Sequence, residues 1–154
     1  MKIPCFVYIL IFSLASLTSL SFLDAATDSI SQHDPEFSDG IKTVSGEELK
    51  KMIDDKKSIL ILDARKNNNG GLIPGAKSLP YNASEKEIKI TLNAVPKDMV
   101  IVVYCSNIYC PVSGYLAKRL SLMGYTNVYK YPDGLAGWLR KGYPIDAEPT
   151  TNGK

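Results

Sequence analysis

The chain has 154 residues, 45% of them hydrophobic, which is enough for one domain with a core of its own. Eighteen basic residues stand against 16 acidic ones for a net charge of +2, and no basic run is interleaved with aromatics, so nothing points to a nucleic acid partner. One histidine, His33, and three scattered cysteines argue against a zinc site, and a Ser-His-Asp triad would have to rest on His33 alone.

Residues 1–25 begin with Lys2 and continue as an apolar run with small residues interspersed. This is the shape of a secretory signal peptide, with cleavage near Ala25 or Ala26. The competing reading is an uncleaved membrane anchor, because the stretch is nearly long enough to span a bilayer. Cleavage would export the protein to the periplasm or the cell exterior, without stable membrane insertion. It would also remove Cys5 and leave Cys105 and Cys110 in a compartment where disulfides form. Residues 26–40 are polar and irregular, a linker in which His33 is a solvated residue. A domain is predicted over residues 41–147, with a frayed polar tail over 148–154.

Within the domain, residues 41–44 predict a short strand. Ser45-Gly46-Glu47-Glu48 is a capping box, and it opens a helix with Leu49, Met52 and Ile53 on one face. Residues 58–62 (SILIL) predict a buried strand that delivers Asp63-Ala64-Arg65 at its carboxyl end. A flexible loop follows over 66–71, then a short strand over 77–79. Ser84-Glu85-Lys86-Glu87 repeats the capping box before a second helix with Ile88 and Leu92.

Residues 99–104 (MVIVVY) predict a fully buried strand, and residues 111–123 a helix that Pro111 starts and Gly124 caps. Cys105 then lies where a central strand ends and its loop wraps into a helix N-terminus. Backbone N–H groups and the positive end of the helix dipole would face the sulfur, a setting that lowers a thiol pKa. A buried cysteine is often only a small apolar residue, so the context has to carry the functional reading. Residues 127–131 predict a further strand, 132–134 a turn and 135–141 a short helix stopped by Gly142. Strands alternating with helices predict an α/β fold, a mostly parallel central sheet with helices on both faces. Asp63, Arg65 and Cys105 all fall beyond strand carboxyl ends, where ligands bind in such sheets.

Three ordered stretches resemble the rhodanese-like domain family. Asp63-Ala64-Arg65 with Gly71-Leu72-Ile73-Pro74-Gly75-Ala76 is similar to its D-x-R … G-H-I-P-G-A motif. Val103-Tyr104-Cys105 resembles the strand that presents the family's catalytic cysteine. Gly124-Tyr125-Thr126-Asn127-Val128, Asp133-Gly134-Leu135-Ala136-Gly137-Trp138 and Gly142-Tyr143-Pro144 resemble its closing run. The resemblance implies a sulfurtransferase that moves sulfane sulfur from a donor such as thiosulfate or polysulfide to cyanide or a thiol. It implies Cys105 as nucleophile and persulfide carrier, and Ser106, Asn107, Ile108, Tyr109 and Cys110 as the substrate-binding cradle. Asp63 and Arg65 are read as a supporting ion pair behind the loop. No metal or organic cofactor is called for. The partners implied are small sulfur-containing anions, thiols and a thiol-bearing protein acceptor.

The chain departs from the family pattern in places. No Arg or Lys lies between Cys105 and Pro111, which weakens the case for thiosulfate and strengthens that for a persulfide or polysulfide donor. Leu72 replaces the usual His and Asp133 the usual Gly, and the spacing from Cys105 to Gly124-Tyr125 is longer than in compact members. Cys110 is an addition. It either resolves the persulfide, closes a regulatory disulfide with Cys105, or packs on the core at the helix start. A related fold uses C-x5-R for phosphate esters, but Pro111 occupies the Arg position here. Two rival functions stay open: an exported thiol–disulfide redox protein using Cys105 and Cys110, and a silent binding module on the same scaffold.

Overall fold

The computed structural model describes residues 40–147. The predicted leader, nearly all of the linker, His33 and the tail lie outside the described residues. The elements follow in the order β1 (Lys42–Thr43), α1 (Gly46–Asp54), β2 (Ile59–Asp63), β3 (Lys77–Ser78), α2 (Glu85–Thr91), β4 (Val100–Tyr104), α3 (Val112–Leu122), β5 (Val128–Tyr131) and α4 (Gly134–Arg140).

Both capping boxes form. Glu48 N–H donates to Ser45 Oγ while Glu48 Oε2 accepts from Ser45 N–H, and Ser84 and Glu87 repeat the exchange at α2. These contacts hold the Glu48 and Glu87 carboxyls below the usual glutamate value, chiefly through the backbone N–H of Ser45 and the hydroxyl of Ser84 respectively.

The five strands form one sheet in the order β1-β5-β4-β2-β3, and every pair is parallel. A parallel sheet needs cover on both faces, and strand alternation supplies the apolar groups. Leu60, Leu62, Ile101, Val103 and Cys105 pack with Ile88 of α2 and Leu116, Ala117 and Leu120 of α3. On the other face Ile61, Val102, Tyr104 and Tyr131 pack with Leu49 of α1 and Leu135 and Trp138 of α4. Trp138 is fully buried, and its Nε1 donates to Pro144 O at 2.7 Å, which seats the segment after α4.

Leu72 is buried and pairs antiparallel with Asp146, exchanging two backbone hydrogen bonds of 2.9 Å. Its role is therefore structural. Most strand ends differ from the sequence reading by a residue, and two helix starts differ in a way that bears on the site. Pro111 caps α3 from outside its first turn, and Gly134, expected in a turn, is already the first residue of α4.

Candidate active site

β4 lies between β2 and β5, so Cys105 leaves the middle of the sheet at its carboxyl end. Its residue is 1% exposed, and its Sγ donates to Cys110 O at 3.1 Å. The loop over 106–111 curls tightly enough to allow this. Cys110 N–H donates to Asn107 O at 3.1 Å, and Tyr109 N–H to Asn107 Oδ1 at 3.0 Å. The loop is held from outside by α4, where Leu135 N–H donates to Cys105 O at 2.9 Å and Ala136 N–H to Ser106 O at 2.8 Å. That approach requires Gly134, whose φ is +60° and whose place offers a Cβ only 2.5 Å from Cys105 O.

The N-terminus of α3 has no side-chain cap. Its first N–H groups serve the two sulfurs instead. The N–H and hydroxyl of buried Ser113 hydrogen-bond Cys105, and the N–H groups of Val112 and Ser106 hydrogen-bond Cys110. The two thiols are close enough across the loop for each to shift the other's pKa, while the Cys105 S–H itself donates to Cys110 O.

The two thiols are shifted in opposite senses, and the lower pKa belongs to the sulfur that the sequence did not favour. Burial pushes the Cys105 thiol up to about 11, and the Cys110 sulfur beside it adds to the rise, outweighing the Ser113 donors. At Cys110 burial acts in the same upward sense, but the neighbouring Cys105 thiol and the Ser106 and Val112 N–H groups outweigh it and lower the thiol pKa. The lowered thiol pKa expected at Cys105 is thus found at Cys110. When two neighbouring thiols titrate together the first proton is lost from one of them, and the better-buried sulfur holds its proton longer.

Behind the loop, Asp63 is fully buried and forms an ion pair with Arg65, with Nη2–Oδ2 2.5 Å and Nε–Oδ2 2.9 Å. Arg65 also donates to Asn69 O and Gly71 O at 3.0 and 2.8 Å, which fastens the loop over 66–71. Burial opposes the guanidinium charge, and the Asp63 carboxylate more than offsets it and raises the Arg65 pKa. Tyr104 accepts from Ile73 N–H at 3.2 Å, and burial pushes its phenol well up. Arg119 of α3 donates to Tyr81 O and Ala83 O at 2.7 and 2.8 Å, fixing the segment before α2.

These pieces enclose an open cavity of about 400 Å³ lined by Arg65, Lys66, Asn67, Asn69, Tyr81, Ser106, Cys110 and Val112. A strand–loop–helix that presents a thiol beneath a helix N-terminus, over a buried D-x-R ion pair, is the arrangement the three sequence motifs imply.

A family model for the rhodanese-like domain matches residues 45–141. The chain belongs to the rhodanese-like domain family. A sulfurtransferase from Allochromatium vinosum is 30% identical over 110 residues, covering 70% of this chain and 96% of that protein. Among solved structures, a protein from Bacillus halodurans superposes with a TM-score of 0.62 at 21% identity, covering 69% of this chain and 77% of the other. A thiosulfate sulfurtransferase from Pseudomonas aeruginosa gives 0.56 at 22%, covering 70% of this chain and 20% of the other. At such identities these structures speak for the fold alone.

Within this rhodanese-like domain the structure brings Cys105, Ser106 and Cys110 together at the sulfur site. Asn107 contributes its carbonyl and amide to the loop's own turn. Ile108 is half-exposed and Tyr109 is 91% exposed, so both side chains rim the loop on the solvent side. Sequence reasoning assigned no role to Ser113, Val112 or Lys66. The first two were legible as the opening of a helix after the cysteine loop. Lys66 had no local signal, because its place beside the site depends on β2 neighbouring β4.

Proposed function

We propose that this protein is a sulfurtransferase that carries sulfane sulfur as a persulfide on Cys105. The observation that supports this most is the placement of the Cys105 sulfur at the end of β4, with Ser113 N–H and hydroxyl aimed at it from α3. The named activity of the A. vinosum relative agrees with it.

The reaction begins with transfer of the Cys105 proton to Cys110 in its ionised form, the form that its lowered pKa favours. Cys105 then attacks the outer sulfur of the donor, the donor's S–S bond breaks, and sulfite leaves if thiosulfate is used, taking the bonding pair. The persulfide anion gains the fixed N–H dipoles of the α3 start, which need no reorganisation as charge moves onto the outer sulfur. An acceptor such as cyanide or a thiol attacks that outer sulfur and returns Cys105 as thiolate. These steps call for no metal or organic cofactor.

Lys66 gives the cavity the positive charge that the cysteine loop itself lacks, Arg65 being paired with Asp63. That suits anionic donors, thiosulfate and polysulfide among them. The exposed rim of Ile108 and Tyr109 suits an acceptor thiol carried on a protein. The same reading includes export, which rests on residues 1–25 as a leader.

The test is thiocyanate formation from cyanide with thiosulfate or polysulfide as donor. Cys105→Ser is expected to fall to the uncatalysed background with both donors. Undiminished turnover in that variant would remove Cys105 from the chemistry.

A further inference from the structure

The site holds two thiols, and each has its own set of donors. Cys105 is hydrogen-bonded by Ser113, while Cys110 is hydrogen-bonded by the backbone N–H groups of Ser106 and Val112. Cys110 packs against the apolar core, as a space-filling cysteine at a helix start would. It also takes the N–H groups of Ser106 and Val112, which such a residue would leave to solvent or a cap. Position separates the two as well. Cys105 is 1% exposed, whereas Cys110 is half-buried and lines the 400 Å³ cavity beside Lys66. The loop turn that joins Cys110 N–H to Asn107 O folds the second cysteine back onto the first, and Cys105 Sγ donates to Cys110 O at 3.1 Å.

We infer that Cys110 is a second reacting thiol, which attacks Sγ of the Cys105 persulfide, expels hydrosulfide and closes a Cys105–Cys110 disulfide. This inference rests on the persulfide reading of Cys105 given above. The protein would then release sulfide without any external sulfur acceptor. A thiol or dithiol reductant is needed afterwards to reopen the site.

Atoms and electrons balance through each step. In the first, the Cys105 proton passes to Cys110, Cys105 bonds to the outer sulfur of thiosulfate, and sulfite departs. The proton then moves from Cys110 to the outer persulfide sulfur. The Cys110 thiolate attacks Cys105 Sγ, the sulfur–sulfur bond of the persulfide breaks, and hydrosulfide leaves with the electron pair. The donor's sulfane sulfur is reduced to sulfide while the two cysteines are oxidised to the disulfide. No other oxidant takes part. Two external thiols then reduce the disulfide and become a disulfide themselves, and the cycle can repeat.

The experiment uses the fully reduced full-length protein, without oxygen and without acceptor, mixed with one equivalent of thiosulfate, or of polysulfide for the mass readout alone, because polysulfide itself sheds sulfide when it gives up sulfur. Intact mass and released sulfide are followed together. The wild type is expected to pass through a gain of one sulfur and end at a loss of two hydrogens, with one hydrosulfide released per chain. Cys110→Ser is expected to stop at the gain of one sulfur and to release no sulfide. A wild type that holds the added sulfur without releasing sulfide would overturn the role of Cys110 and leave the persulfide reading standing. A loss of two hydrogens without sulfide would equally overturn it, as simple oxidation. No change of mass with any donor, in wild type or Cys110→Ser, would remove the persulfide reading and this inference together. If Cys105→Ser gained the sulfur instead, the order of the two thiols assigned here would be wrong.

Discussion

Burial of Cys105 to 1% exposure strips water from its sulfur and pushes its thiol up to about 11, while the Cys105 thiol and the N–H groups of Ser106 and Val112 lower that of Cys110. The two thiols should therefore differ sharply toward an alkylating agent, because thiolate is the reactive form. Limited iodoacetamide at neutral pH is expected to label Cys110 first, with Cys105 following only as the pH rises toward its own pKa. In Cys110→Ser the repelling neighbour is gone though the burial stays, so labelling of Cys105 should begin at lower pH than in the wild type. Peptide mapping across a pH series reads both results, and equal labelling rates at all pH values would contradict them. The sequence made Cys105 visible through the apolar strand before it and the helix after it. It could not show which sulfur keeps the proton, since that depends on how far the loop over 106–111 curls.

Among the elements, α4 does most to shape the site without touching the sulfur. Its first N–H groups bind Cys105 O and Ser106 O, and Gly134 lets the backbones meet. A methyl group there would sit 2.5 Å from Cys105 O and 2.7 Å from Asn107 N, at a φ of +60°. Gly134→Ala should cost more than the ~1–2 kcal/mol of a left-handed non-glycine residue, since the cysteine loop must also shift. Denaturant unfolding should show that loss, together with reduced sulfur transfer; a variant of unchanged stability and turnover would refute the clamp. The helices and strands were readable from short-range signals: capping boxes at Ser45 and Ser84, β-branched runs before Asp63 and Cys105, and Gly142 after α4. The start of α4 was misread because Pro132-Asp133-Gly134 has turn composition. Its helical entry is set by the contact with the cysteine loop, far away in sequence.

For the molecule as a whole, the strand order β1-β5-β4-β2-β3 sets β2 beside β4 and so brings the loop over 66–71 next to the Cys105 loop. Lys66 thereby becomes the exposed cation of the cavity, since Arg65 is engaged with Asp63, Asn69 and Gly71. Lys66→Ala is expected to raise KM for thiosulfate about two- to fivefold, the weight of one exposed ion pair, with little change in kcat. Added salt should raise the wild-type KM in the same direction. An unchanged KM would place donor binding elsewhere. Neighbour relations of this kind are not written in local sequence, which is why the missing cation looked like a deficit when only the residues between Cys105 and Pro111 were considered. The fold class was legible because alternation of buried strands and amphipathic helices admits few sheets.

The central claim is that the transferred sulfur is carried on Cys105. It is tested most directly by locating that sulfur. Wild-type and Cys110→Ser proteins would be acid-quenched within the first turnover with thiosulfate or polysulfide, alkylated, digested and sequenced by fragment masses. The extra sulfur is expected on Cys105 in both proteins and on neither cysteine position in Cys105→Ser. Extra sulfur on Cys110 in the wild type, with Cys105 unmodified, would contradict the claim.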